Sequence, residues 1–174
     1  MERHELTDKL LKNHNSFIEY ITSLTDIDFL HAQNEKWSAG QQLDHIFLSV
    51  KPLKQILGFR KILIRILFGK ANRPSKSYDE LSVKYKDKLQ KGGRATGRFI
   101  PKKIGISQKT ELVNSLTKAI QKLSNQIGSF SEQQLDDLIL PHPLLGKITL
   151  REMIYFTIYH VAHHHEITRR NFKK

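Results

Sequence analysis

Cysteine is absent from the chain, which removes disulfides, thiolate-held zinc and a thiol nucleophile together, so any metal here must be held by nitrogen and oxygen ligands. Acid is scarce. Against 29 Lys and Arg stand only 17 Asp and Glu, and the formal charge of +12 favours an anionic partner without choosing between nucleic acid, an acidic lipid surface and an anionic small molecule. Long apolar runs are missing too. The longest, Ile62 to Phe68, is broken by Arg65 and flanked by Arg60, Lys61 and Lys70; it falls well short of the roughly 18 residues that span a bilayer and leaves only a peripheral membrane contact open. Met1 to Glu5 carry mixed charge and no apolar targeting core, so the expected location is cytoplasmic. No repeat or low-complexity tract divides the 174 residues, and one domain over 1–174 is expected.

What the chain does have is helical periodicity. Leu6, Leu10, Leu11, Phe17, Ile18, Ile21 and Leu24 recur at threes and fours and predict a first helix. Ser38-Ala39-Gly40-Gln41 matches a capping box and starts a second, which carries His45 and which Pro52 is expected to kink or divide near Val50 and Lys51. Gly58 and Gly69 bracket a basic, apolar turn or two of helix. The stretches Asn72 to Ser75 and Gly92 to Gly105 look irregular and enclose a long crossover. Ser107 is the expected cap of a third long helix, whose stripe of Leu112, Val113, Leu116, Ile120, Leu123 and Ile127 ends near Gly128; a short helix from Glu132 to Leu138 follows. Pro141-His142-Pro143 is expected to forbid regular structure at its own position. Thr149-Leu150-Arg151-Glu152 is a further capping box and opens the last helix. Four long helical segments predict an all-α bundle, with the crossover allowing the second and third to run parallel.

Nine histidines are distributed over this pattern. On the last helix Met153, Thr157, His160, His164 and Ile167 follow a core-facing seam, and His160 and His164 are separated by about 400°, so their rings lie one turn apart on one face. Paired imidazoles at that spacing supply two adjacent positions of a metal site. His45, about two turns into the second helix, is the best third ligand if the last helix packs antiparallel to the second. Three histidines leave a coordination position open, as in catalytic rather than structural zinc sites. His163 falls about 60° to one side of the seam and is a candidate outer partner, while His165 points away. Asp44 and Glu166 adjoin ligands in sequence but face other directions on a helix, so each is either a surface residue or a partner orienting an imidazole. His4, His14, His31 and His142 are expected to have no ligand role.

Trp37-Ser38-Ala39-Gly40-Gln41-Gln42-Leu43-Asp44-His45, Gly146-Lys147-Ile148-Thr149 and Tyr159-His160-Val161-Ala162-His163-His164, in that order, resemble the DinB-like superfamily. The resemblance implies a four-helix bundle of up-down-down-up topology, with a long crossover between helices two and three. It also implies a divalent metal, commonly zinc or nickel, held by His45, His160 and His164. Related members act as transferases and isomerases that use low-molecular-weight thiols. The chain departs from a frequent family ending, Arg-Gly-Gln after the histidine pair, by having His165-Glu166-Ile167.

The enzyme this suggests is a metal-dependent S-transferase, joining a small-molecule thiol to an electrophile, with basic residues attracting an anionic cosubstrate. A metal-dependent hydrolase or isomerase is the alternative within enzymes, although no acid-base group stands out. Outside them stands a noncatalytic binder of nucleic acid or another anionic partner, motivated by Lys84, Lys86, Lys88, Lys91, Arg94, Arg98, Lys102 and Lys103. A run of this kind is usually a solvated loop, and Tyr85 and Phe99 are few aromatics for base stacking, so nucleic-acid binding is disfavoured. A metal bundle retained for protein contact, through a homodimer face, is the third reading.

Overall fold

Amphipathic stripes become helices where their apolar faces can be buried together, and here helix accounts for 71% of the described residues. The computed structural model describes residues 1–32 and 36–172. Within them lie α1 (Arg3–Ser23), α2 (Asp26–Leu30), α3 (Ala39–Leu57), α4 (Lys61–Phe68), α5 (Tyr78–Gln90), a 3-10 turn (Gly97–Phe99), α6 (Ile106–Gly128), α7 (Glu132–Asp137), β1 (Ile139–His142), β2 (Gly146–Thr149) and α8 (Leu150–Phe172). The four long helices pack in a closed ring, α3 on α6, α6 on α1, α1 on α8 and α8 on α3. Their stripes meet in one core: Leu6, Leu10, Phe17 and Ile21 from α1, Leu43, Ile46 and Val50 from α3, Leu116, Ile120 and Leu123 from α6, Ile154, Ile158 and Val161 from α8.

Two of the expected helix starts have the expected cap. Ser38 Oγ accepts from Gln41 N–H at 3.3 Å while Gln41 Oε1 accepts from Ser38 N–H at 3.1 Å. At α8 the Thr149 hydroxyl accepts from Glu152 N–H and the Glu152 carboxylate accepts from Thr149 N–H.

Elsewhere the structure corrects the sequence reading. Pro52 does not divide its helix; α3 runs through it, because the buried seam of Val50, Leu53 and Leu57 holds both halves on α6. The third long helix is capped by Gly105 rather than Ser107, with Gln108 Oε1 accepting from Gly105 N–H at 3.0 Å. The crossover is not wholly irregular, since α5 occupies its centre and packs on α8. Pro141-His142 lies in β1, not in irregular chain: β1 pairs antiparallel with β2, Pro141 opposite Lys147, and Gly146 takes the positive φ of +76° that the turn requires. In a two-stranded sheet both strands are edges, where a proline's missing N–H is tolerated. The fold is therefore mostly α with one hairpin.

That hairpin and the crossover position the site. Glu152, fully buried at the start of α8, accepts a two-pronged bond from Arg73 (2.7 and 2.8 Å) and one from Lys76 N–H at 2.8 Å, which fastens the crossover to the helix that carries the histidines.

Candidate metal centre

Helix α3 and helix α8 each present a polar notch in an otherwise apolar seam, and packed together they bring His45, His160 and His164 within reach of one another. His45 Nε2 lies 3.2 Å from His160 Nε2, and His164 Nε2 lies 3.0 Å from the same atom. All three residues are buried, at 5%, 4% and 7% exposure.

The outer nitrogens decide what the inner ones are. His45 Nδ1–H donates to the Phe99 carbonyl at 2.7 Å, and His164 Nδ1–H donates to Gln42 Oε1 at 2.5 Å. With Nδ1 protonated, a neutral imidazole keeps its lone pair on Nε2, so these two lone pairs point at His160 Nε2. Protonation does not resolve the crowding easily: burial, followed by the neighbouring imidazoles, holds His160 well below the usual histidine range. His164 is held low by burial and then by His45 and His163. His45 is lowered by burial, which outweighs the Phe99 bond and the Asp44 charge. The group is thus a cluster of neutral nitrogen donors.

Such a donor set fits a divalent cation. A cation holding nitrogens at about 2.1 Å separates adjacent ligands by roughly 3.0 Å in octahedral geometry and about 3.4 Å in tetrahedral geometry, the interval in which both nitrogen separations fall. Among the described residues no other group of His, Asp or Glu gathers in this way.

The three rings form one wall of a cleft of about 410 Å³. Opposite and around them stand Trp37, whose indole stacks at 15° to the His164 ring, and Phe156, stacked at 26° on His160. Tyr85, from α5, reaches the same space; burial and then Tyr159 push its phenol up to about 12, so it is a proton-bearing donor at neutral pH. Pro52, Ile56, Phe68, Leu89 and Leu144 supply apolar lining, and Arg94 and Arg98 supply two cations.

The candidate outer residues fare differently. His163 is half-buried, lines the cleft and stacks on Tyr159 at 17°. Asp44 accepts from Lys102 N–H at 2.9 Å rather than from an imidazole; it pins the loop that carries Phe99, whose carbonyl holds His45. Glu166 is exposed and pairs with Arg170 at 3.3 Å, away from the histidines. His165 packs its ring against Tyr20 and Phe17, on the α1 side. His142, expected to have no ligand role, stands outside the histidine cluster but lines the cleft: its Nδ1 accepts from Leu144 and Leu145 N–H, both at 3.1 Å, which leaves a proton on Nε2, and burial with Lys84 nearby lowers it to about 4.

Sequence reading missed Gln42 and Phe99. Gln42 had a signal, being a buried-face polar residue one turn before His45; a backbone carbonyl such as that of Phe99 leaves none. Several cations of the basic segment are engaged within the fold. Lys84 Nζ donates to the Leu145 carbonyl, Lys86 lies over the Tyr159 ring, Lys91 pairs with Asp87, and Arg94 and Arg98 line the cleft.

A sequence profile of the DinB superfamily matches residues 9–168. The chain belongs to the DinB superfamily. Members of this superfamily are metal-associated, and this DinB chain carries its three buried imidazoles in the portion matched. No curated protein and no solved structure gives a significant match. No helix among the described residues is long and apolar enough to cross a membrane.

Proposed function

We propose that this DinB-superfamily chain is a metal-dependent enzyme that transfers a low-molecular-weight thiol to an electrophilic small molecule, with His45, His160 and His164 as ligands to zinc or nickel in an up-down-down-up four-helix bundle. The observation that carries the reading is the convergence of three neutral Nε2 atoms on the wall of an open cleft. A divalent cation there would supply Lewis acidity, which lowers the pKa of a thiol or water that reaches it.

The protein's own groups do the rest. Phe99 and Gln42 hold the His45 and His164 rings with Nε2 inward. Aromatic and aliphatic walls exclude water from the reacting pair and accept an apolar electrophile. Arg94 and Arg98 attract the anionic end of a cosubstrate. Tyr85, kept as a phenol, is placed to donate a hydrogen bond to charge developing on the acceptor.

Two measurements test this. Metal content by mass spectrometry, on untagged protein, is expected to be one equivalent in the wild type and to be lost in His45→Ala; unchanged metal in the variant would mean that cation is held elsewhere. A panel of small thiols against electrophilic acceptors is expected to show turnover that His160→Ala abolishes, and equal rates in both proteins would remove the transferase assignment.

A further inference from the structure

Helix α4 turns a broad apolar face outward. Ile62, Leu63, Ile66 and Leu67 are exposed by 58%, 45%, 70% and 61%, and Phe59 just before the helix by 48%. On a helix the four span an arc of about 140°, and Ile64, fully buried, lies about 130° from the centre of that arc. The helix therefore has two apolar faces, one consumed by the core and one left on the surface. A patch of this kind on a surface helix marks a contact with something apolar.

The charges around it select the partner. Between Asp44 and Asp79 the sequence has no acidic residue, while Lys51, Lys54, Arg60, Lys61, Arg65, Lys70, Arg73 and Lys76 fall in that interval. Lys70 and Arg73 are paired with Asp137 and Glu152. Arg60 and Arg65, at the margins of the exposed face, form no ion pair among the described residues. A second copy docked face to face would set these cations against their own kind. Nucleic acid would satisfy the cations but not the aliphatic side chains, because bases stack on aromatic rings. An acidic bilayer satisfies both, with headgroups for the cations and acyl chains for the isoleucines and leucines.

We propose that the outward face of α4 is a docking surface for anionic lipid, on which Ile62, Leu63, Ile66 and Leu67 enter the headgroup boundary while Arg60 and Arg65 contact phosphates. Phe68, at the end of the same helix, turns inward and lines the cleft, so docking holds the cleft beside the bilayer surface.

Co-sedimentation of the full chain with vesicles of phosphatidylcholine alone, or of phosphatidylcholine and phosphatidylglycerol in equal parts, tests the proposal. Binding is expected on the mixed vesicles only, decreasing as salt rises, and Ile66→Glu with Leu67→Glu is expected to lower the partition coefficient by about tenfold or more. The exposed positions make this variant safe for folding, which an unchanged thermal transition would show. As the chain has no thiol of its own, Leu67→Cys carries a single environment-sensitive fluorophore, whose emission is expected to shift blue on the mixed vesicles. Absence of binding at low salt would overturn the proposal. So would equal binding by the Glu variant, which would leave only the net charge at work, and so would a dimer in light scattering that the same substitutions dissociate.

Discussion

A buried imidazole is directed by what its far nitrogen touches, and in this chain the two directing atoms are of different kinds. Gln42 Oε1 is a side chain that can be replaced; the Phe99 carbonyl is backbone and cannot. Gln42→Leu removes the acceptor for His164 Nδ1–H, freeing the ring to turn or change tautomer while leaving every candidate ligand in place. Metal affinity is expected to fall by about 10- to 100-fold, as is usual when a ligand loses its orienting partner, and competition against a chromogenic chelator would measure it. An unchanged affinity would mean that packing by Trp37 and His45 alone fixes the ring. At this scale the sequence pointed to the grouping of His45, His160 and His164, because helical phase pairs the last two and the position of His45 in its helix, with the family resemblance, adds the first. It was silent on Phe99, and of the two readings it left open for Glu166 the structure takes the surface one.

The long elements were legible where their stripes are wide, and so were the short helices α4 and α7; α2, α5 and the hairpin were not. In α5, Leu81 and Tyr85 are buried beneath a mostly charged surface, so the helix reads as part of a basic loop until α8 is there to cover it. The hairpin was hidden by Pro141, which only an edge strand accepts, and by Pro143 in the turn that follows it. What the capping box at α8 did not reveal is that its glutamate has a second task. Burial works against the Glu152 carboxylate, but the bonds from Arg73, Lys76 N–H and Thr149 N–H outweigh it and hold the group below the usual carboxylate range. Glu152→Gln leaves Arg73 facing a neutral amide and loosens the crossover from α8. A loss of about 2 to 3 kcal/mol in urea unfolding is expected, with activity at low temperature largely retained, since no cleft residue is touched. A loss under about 0.5 kcal/mol would show that the crossover is held by other contacts.

For the molecule as a whole, stability is tied to histidines that must stay neutral. His14 is fully buried in α1, bonds Leu10 O through Nδ1 at 2.8 Å and has no partner for Nε2 among the described residues. Burial, only partly offset by the Leu10 bond, lowers it from 6.5 to about 4, the same value that His142 reaches. The folded chain therefore declines protons that the unfolded chain accepts between about pH 6.5 and pH 4. Stability from this source is complete above that window and is lost as pH falls through it, up to roughly 3 kcal/mol for His14 at the acid end. His14→Met, which keeps the volume without the titration, is expected to flatten the decline seen by thermal unfolding of the metal-free protein between pH 7 and pH 4. Parallel curves for the two proteins would mean that His14 is solvated or protonated in the folded state.

The loop running from Arg94 to Lys102 contributes cations to the cleft at one end and, through Phe99, the carbonyl that aims His45; Asp44 pins it behind. Whatever settles against Arg94 and Arg98 thus acts on the same backbone that orients a candidate ligand. A coupling through that loop between occupying the cleft and occupying the three nitrogens would be reciprocal: an anionic molecule that tightened cation binding by some factor would have its own affinity raised by the same factor when the cation is present.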